Sequence, residues 1–180
     1  ERNFYKVTEE ISYTNPETGS KISIVPDDSF KVDVKIGFRS KMLKSQTAEL
    51  TDIRTFATEF AAARTFVFVR EIRPLLKMNL IKGGDLKNAV VIYDEPIQQE
   101  SMDRLTDKLG QPRIDATQLG YITGDLHYEN EPARHKLMDV IGDMALVGRP
   151  LIGRITATHP GHRTNTELAK LVRQAMLNAK

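Results

Sequence analysis

The sequence contains no cysteine among its 180 residues, which removes two classes of site. Without cysteine there is no disulfide framework and no thiolate metal site, so any bound metal ion would need His and Asp or Glu as ligands. Apolar runs are also short, and none approaches the roughly 18 residues needed to span a bilayer. The opening residues lack a secretory signal pattern, so we expect a cytoplasmic protein with no transmembrane segment.

The sequence also lacks a concentration of charge. Its net charge is +2, and the basic residues are scattered along the chain with no basic run. Nucleic-acid-binding proteins usually carry a basic patch or stripe, so we expect no nucleic-acid partner. Hydrophobic residues make up 40% of the chain and charged residues 28%, as in an ordinary globular protein. At this length a single domain, residues 1–180, is the simplest expectation.

Hydrophobic patterning predicts an alternation of strands and helices. Strands are predicted at 4–11, 21–25, 30–38, 65–69, 89–93 and 151–157, and helices at 52–62, 71–78, 98–109, 130–148 and from 164. This order predicts an α+β fold, a two-layer sandwich with a largely antiparallel or mixed sheet and helices packed on one face. It adds a small β-α-β insert at about 66–93 and a surface excursion at about 95–129.

The predicted helix from Asn130 to Gly148 organises the chain. Asn130 is a suitable N-cap and Gly148 a suitable stop. Its apolar residues recur at helical spacing, at Leu137, Val140, Ile141, Met144 and Val147. His135, Asp139 and Asp143 are spaced four residues apart and therefore lie on one stripe. A histidine and an aspartate at this spacing more often form a hydrogen-bonded pair at the surface. An imidazole and a carboxylate one turn apart can also bind one metal ion.

The insert at 66–93 is rich in Phe, Ile, Leu and Met for its size. Two interpretations are open from composition. The first is a satellite core cluster, which composition alone favours. The second is an apolar passage for a lipid chain.

Four segments resemble a known enzyme family. They are Ala63-Arg64-Thr65-Phe66, Gly83-Gly84, Arg134-His135-Lys136-Leu137-Met138-Asp139-Val140-Ile141-Gly142-Asp143 and Gly161-His162. From about Phe4 onward the chain resembles the second domain of the zinc-dependent UDP-3-O-acyl-N-acetylglucosamine deacetylase of lipid A biosynthesis. The segment 95–129 resembles the longer insertion of the Bacteroidetes-type members, in which the deacetylase is fused to a 3-hydroxyacyl-carrier-protein dehydratase.

The resemblance implies a zinc-dependent amidase with assigned catalytic groups. His135 and Asp139 would bind Zn2+, and His162 would be the charged general acid toward the leaving amine. Asp143 would hydrogen-bond and orient that imidazole. Thr65 would donate to the tetrahedral oxyanion.

The resemblance also implies residues that contact the substrate. Lys136 would act close to the substrate's phosphates. Phe38 matches an aromatic residue that stacks on the nucleotide base, although Gly37 and Arg39 beside it depart from the usual Asp and Asn. His159 stands where other members have a lysine near the diphosphate, and Gly161 follows in the same loop.

With the family in view, the insert becomes the passage for the 3-hydroxyacyl chain. The residues expected to line it are Phe66, Ile72, Leu76 and Leu86. This interpretation reverses the preference that composition alone indicates.

The family enzyme has two domains of similar build, and this chain resembles only the second. In the family, a Glu-His pair of the first domain provides the general base and the third zinc ligand, and no Glu-His dipeptide occurs here. We therefore expect the chain to be inactive without that partner domain. The alternative function is a non-catalytic lipid- or nucleotide-binding module of the same fold.

Overall fold

The computed structural model describes residues 3–77 and 88–179. Contacts divide the chain into two compact units. The first unit comprises Glu1–Gly37, Ser45–Ala63 and Asn130–Lys180, and the second comprises Phe38–Lys44 and Arg64–Glu129. That residues 1–180 fold as a single domain stays a prediction.

Strands and helices alternate along the described residues. The strands are β1 Tyr5–Lys6, β2 Ile11–Thr14, β3 Lys21–Val25, β4 Phe30–Ile36, β5 Gln46–Leu50, β6 Thr65–Phe68, β7 Ala89–Tyr93, β8 Gly120–Tyr121 and β9 Leu151–Thr158. The helices are α1 Phe56–Glu59, α2 Val69–Lys77, α3 Gln99–Leu109, α4 Glu131–Met144 and α5 His162–Asn178. No helix in this part of the chain is both long and apolar enough to cross a membrane.

The first unit is built on a mixed sheet with β9 at its centre. The strand order is β2-β3-β9-β4-β5. β4 pairs with β9 in parallel, whereas β3 pairs with it antiparallel. The short β1 is parallel to the beginning of β9, where Tyr5 lies opposite Leu151. The carboxyl end of β9 therefore leads directly into the loop that precedes α5.

Helices α4 and α5 pack on one face of this sheet and against each other. Inward positions alternate along β4 and β9, so one face of each strand carries the apolar side chains. The core residues from the two layers include Ile24, Val32, Ile155, Leu137, Val140, Leu168 and Val172. The predicted α+β sandwich with helices on one face is confirmed.

The second unit contains the predicted β-α-β arrangement. β6 and β7 are parallel, α2 follows β6 in the chain, and β8 pairs antiparallel with β7. All five residues of β7 are buried. Its two faces contribute to two separate apolar clusters, with Val91 and Tyr93 in one and Val90 and Ile92 in the other.

The glycines and prolines of the segment 95–129 predict a surface excursion. The segment also contributes side chains to the core of the second unit. Met102 and Leu105 of α3, together with Ala116 and Ile122, are buried in the cluster that includes Tyr93. The hydroxyl of Tyr93 donates to the carbonyl of Ala116 at 2.7 Å. Much of this segment is therefore packed.

Several element boundaries differ from the sequence prediction. The strand predicted at 4–11 is two separate strands, β1 and β2. The helix predicted at 52–62 is a 3-10 turn, Ile53–Thr55, followed by the single turn of α1, and Ile53 is 48% exposed. β5 has no counterpart in the prediction. These segments lack the long apolar periodicity that marks the central elements.

The boundaries of α4 and α5 also differ. α4 ends at Met144 and is followed by a 3-10 turn to Val147. Gly148 then ends the helical segment in a left-handed conformation with φ 89°. α5 begins at His162, two residues before the predicted start at 164, so Thr164 lies inside the first turn and is buried. His162 therefore belongs to a helix N-terminus.

Candidate metal and acid–base site

Helix α4 carries the charged stripe that the sequence predicts. Leu137 and Val140 of α4 are fully buried in the core of the first unit, which fixes the rotation of the helix. The opposite stripe is consequently held partly out of the core. The side chains of His135 and Asp139 are 19% and 14% exposed.

His135 and Asp139 face each other across one turn of α4 without a direct hydrogen bond. Nε2 of His135 lies 3.5 Å from Oδ1 of Asp139. Nδ1 of His135 lies 3.3 Å from the carbonyl oxygen of Ala63, an acceptor to which a protonated Nδ1 would donate. In that tautomer Nε2 would be free to bind a metal ion on the side of the carboxylate. Nζ of Lys136 donates to the other carboxylate oxygen at 2.9 Å.

The donor set of His135 and Asp139 fits a zinc ion. With metal–ligand distances near 2.0–2.2 Å, two ligands of a tetrahedral zinc site lie about 3.4 Å apart. The observed separation of 3.5 Å matches that edge and is too long for a good hydrogen bond. A backbone carbonyl on the second ring nitrogen is also the usual support of a metal-binding histidine.

A second pair of histidine and carboxylate lies at the other end of α4 and has a different geometry. Nδ1 of His162 lies 2.9 Å from Oδ2 and 3.2 Å from Oδ1 of Asp143, a direct hydrogen bond. The Asp143 side chain is 16% exposed, whereas that of His162 is 70% exposed. Because Nδ1 donates to the carboxylate, the outer Nε2 is the atom available to a ligand. The contact predicted between these two residues is present.

The chain enters α5 through a constrained loop. His159 follows β9 with a φ of 51°, a left-handed conformation that is uncommon outside glycine. Its N–H donates to the carbonyl of Lys35 at 2.8 Å, and a Cβ at Gly37 would lie 3.4 Å from its ring Nε2. Gly161 is extended and its carbonyl accepts the N–H of Asn165 at 2.9 Å. The loop thereby sets where α5 begins.

Comparison with known proteins identifies the family. The family described as "LpxC: UDP-3-O-acyl N-acetylglycosamine deacetylase" matches residues 1–110 and 115–174 of this chain. The chain belongs to the LpxC family. The resemblance stated from the sequence is therefore confirmed.

Individual relatives show how much of an LpxC protein the chain represents. It is 51% identical over 174 residues to the "Bifunctional enzyme LpxC/FabZ" of Porphyromonas gingivalis and 50% identical to that of Bacteroides thetaiotaomicron. Each alignment covers 96% of this chain and 38% of the relative. The "UDP-3-O-acyl-N-acetylglucosamine deacetylase" of Leptospira biflexa is 33% identical, with 91% of this chain and 48% of the relative covered. The chain thus spans less than half of these relatives.

The described part of this LpxC chain holds no group of three or more His, Asp or Glu residues that could bind a metal ion together. His135 and Asp139 would provide two ligands. A catalytic zinc site commonly has three protein ligands. A zinc ion at these two residues would therefore need a further ligand from outside the described residues.

The predicted oxyanion donor and nucleotide-stacking residue of the LpxC chain lie in the second unit. Thr65 is the first residue of β6 and is exposed. Phe38 is 39% exposed, and its ring centroid lies 5.5 Å from that of Phe66 and 5.4 Å from that of Phe68. The three rings form one aromatic cluster with an open edge at Phe38.

The residues predicted to line the acyl passage have different surroundings. Phe66 is half-buried and packs against the cluster of Phe68, Val90 and Ile92. Ile72 is 2% exposed within the other core cluster of the second unit, the environment that the satellite-core interpretation expects. The side chain of Leu76, and the whole of Leu86 and Gly83-Gly84, lie outside the described residues. The passage stays a prediction.

Sequence reasoning missed one polar residue of the site. Asn165 is fully buried in the first turn of α5, and its Nδ2 donates to Oδ2 of Asp143 at 2.9 Å. Its spacing of three residues from His162 is the signal that could have placed both on one side of a helix. The spacing is informative only if the helix begins at His162, whereas the sequence prediction begins it at 164. Arg163 instead turns to Glu17, which raises the pKa of its guanidinium.

Proposed function

We propose that this chain is the part of a zinc-dependent deacetylase that binds the metal and donates the proton. The observation that carries the proposal is the contrast between two His–Asp pairs, one within α4 and one between α4 and α5. His135 and Asp139 are separated by 3.5 Å, an open gap of metal-site size, whereas His162 and Asp143 are joined at 2.9 Å. Membership of the LpxC family supports a deacetylase.

The proposed substrate is UDP-3-O-acyl-N-acetylglucosamine, from which the N-acetyl group is removed in lipid A biosynthesis. The name of the Leptospira biflexa relative supports this substrate class. Because the chain covers 38% of the bifunctional relatives, we propose that the whole protein also carries a first deacetylase domain and a fused dehydratase. The first domain would supply the third zinc ligand and the general base.

His135 and Asp139 would hold the zinc ion. Bound there, zinc supplies Lewis acidity, which polarises the acetamide carbonyl and lowers the pKa of a bound water. The protein's own contribution is orientation: the Ala63 carbonyl fixes the ring of His135, and Lys136 fixes the outer oxygen of Asp139. Both ligands are therefore held before the metal arrives.

His162 would protonate the leaving amine. Cleavage of an amide C–N bond requires a proton on nitrogen, and a positioned imidazole can deliver it. Asp143 holds Nδ1, and no hydrogen bond of Nε2 is found within the described residues. The exposed Nε2 can thus reach a substrate nitrogen. Thr65 as the oxyanion donor stays a prediction that the resemblance carries.

The second unit would bind the hydrophobic part of the substrate. Its apolar side chains are abundant, and an acyl chain gains about 25 cal/mol for each Å² of apolar surface removed from water. Phe38 offers an exposed ring edge for the base of the nucleotide. A non-catalytic lipid- or nucleotide-binding module would use the same features, so activity must decide between the two functions.

The test compares two variants of the whole protein that contains this chain. Asp139→Ala should lose zinc on dialysis, whereas His162→Ala should retain zinc and lose a factor on the order of 100 or more in kcat. Zinc content and deacetylation rate are measured on the same samples. His127→Ala, a histidine of the second unit, is the matched control and should change neither quantity by much.

Two results would contradict the proposal. Equal zinc loss in Asp139→Ala and His162→Ala would mean that His162 binds metal. Absence of zinc-dependent deacetylation in the parent protein, with UDP-sugar binding retained, would favour the non-catalytic module.

A further inference from the structure

Asn165 has an unusual set of contacts for a buried side chain. It is 0% exposed, and its Oδ1 has no hydrogen-bond partner among the described residues. Its Nδ2 donates to the carboxylate of Asp143, which can only accept, so the orientation of the amide is determined. A buried carbonyl oxygen without a partner is unfavourable for folding. The hydrogen bond from Nδ2 to Asp143 is the one that this side chain makes among the described residues.

The N–H of Asn165 and the imidazole of His162 share one oxygen atom. Oδ2 of Asp143 lies 2.9 Å from Nδ2 of Asn165 and 2.9 Å from Nδ1 of His162. The His162 side chain is 70% exposed, so packing restrains the imidazole little and its orientation depends on the carboxylate. Asn165 is fixed by packing on every side. The buried amide, and not the exposed imidazole, is the rigid partner of the carboxylate.

We propose that Asn165 is a positioning residue that acts through Asp143 on His162. Asn165 fixes the rotation of the Asp143 carboxylate, and that carboxylate fixes the imidazole so that Nε2 points outward. All three residues lie where the last turn of α4 meets the first turn of α5. The effect on catalysis rests on the proposed function, whereas the effect on the imidazole is a property of this chain alone.

The first measurement uses the chain itself and requires no activity. Side-chain nitrogen–proton NMR spectra report the hydrogen-bonded Nδ1–H of His162. Asn165→Leu, which removes the donor and keeps the number and branching of the side-chain heavy atoms, should weaken or abolish that signal while the melting temperature stays within a few degrees of the parent value. Asn178→Leu, at the exposed end of α5, is the matched control and should leave the signal unchanged.

The second measurement uses the whole protein and separates positioning from general damage. Asn165→Leu should lower kcat about tenfold and change KM less than about twofold. In an Asp143→Asn background the same substitution should change kcat less than about twofold, because residues that act through one another are not additive. Asn165→Ala gives a smaller side chain in case the Leu variant fails to fold.

The outcomes distinguish this inference from the proposed function. An unchanged His162 signal in both Asn165 variants, or an equal fall in kcat in both backgrounds, overturns the positioning role. A parent protein without deacetylase activity overturns the proposed function, whereas a signal lost only in the Asn165 variants still supports the positioning of His162.

Discussion

Metal binding offers the sharpest perturbation, because the chain holds two His–Asp pairs with different separations, one within α4 and one between α4 and α5. The chain alone should bind zinc weakly through His135 and Asp139. Removing His135 should abolish the effect of zinc on stability. Removing His162 should not, because its Nδ1 and Asp143 are already joined at 2.9 Å.

The expected magnitude follows from linkage. Zinc at 100 times its dissociation constant stabilises the folded chain by about 2.7 kcal/mol. For a chain of this size that corresponds to a rise in melting temperature of about 5–10 °C. Loss of a residue that only supports a ligand weakens metal binding 10–100-fold, so loss of the ligand itself should weaken it at least about 100-fold. At the same zinc concentration the stabilisation of His135→Ala then falls to about 0.4 kcal/mol, or roughly 1 °C.

Differential scanning calorimetry over a range of zinc concentrations measures these shifts. The parent and His162→Ala should show the same dependence on zinc, and His135→Ala almost none. If zinc still raises the melting temperature of His135→Ala, the inference that zinc binds between His135 and Asp139 is refuted. A shift lost in His162→Ala would place the metal at the other pair.

Further predictions concern the stability of the fold. Leu137→Ala should lower the free energy of unfolding by about 2–5 kcal/mol in urea denaturation, because the side chain is fully buried beneath the stripe. Leu146→Ala, at a residue 61% exposed, should change it by about 0.5 kcal/mol or less. Gly148→Ala should destabilise the chain by about 1–2 kcal/mol by chemical denaturation, since φ there is 89°. Hydrogen bonds from Arg54 lower the pKa of Asp52 from 3.8 to about 2, so the stability that this carboxylate contributes is present above 3.8 and lost as the pH falls through about 2. Melting temperatures measured against pH should therefore show less acid sensitivity in Asp52→Asn.

Elements with a strong local pattern were predicted closely. β3 and β7 have the predicted bounds, and α3 begins one residue later than predicted and ends at Leu109, before the left-handed Gly110. Each of these elements buries a contiguous or periodic apolar set, which is visible without knowledge of its neighbours. β5 was missed because it buries only Ala48 and Leu50, too short a pattern to distinguish from a loop.

The segment after β7 contains buried residues that its composition does not indicate. Its glycines and prolines indicate turns, and turns usually lie at the surface. Ala116 and Ile122 are nevertheless buried, because α3 and β8 bring them against β7. Burial of such residues depends on a partner strand distant in sequence.

The sequence by itself determined the residues of α4 that share a stripe, because helical spacing alone places His135, Asp139 and Asp143 there. It also carried the family resemblance through an uninterrupted motif. Only the tertiary structure decided that His135 and Asp139 leave a 3.5 Å gap while Asp143 closes onto His162. Those distances depend on the Ala63 carbonyl and on where α5 begins, and both are set by packing between segments that are far apart in the chain.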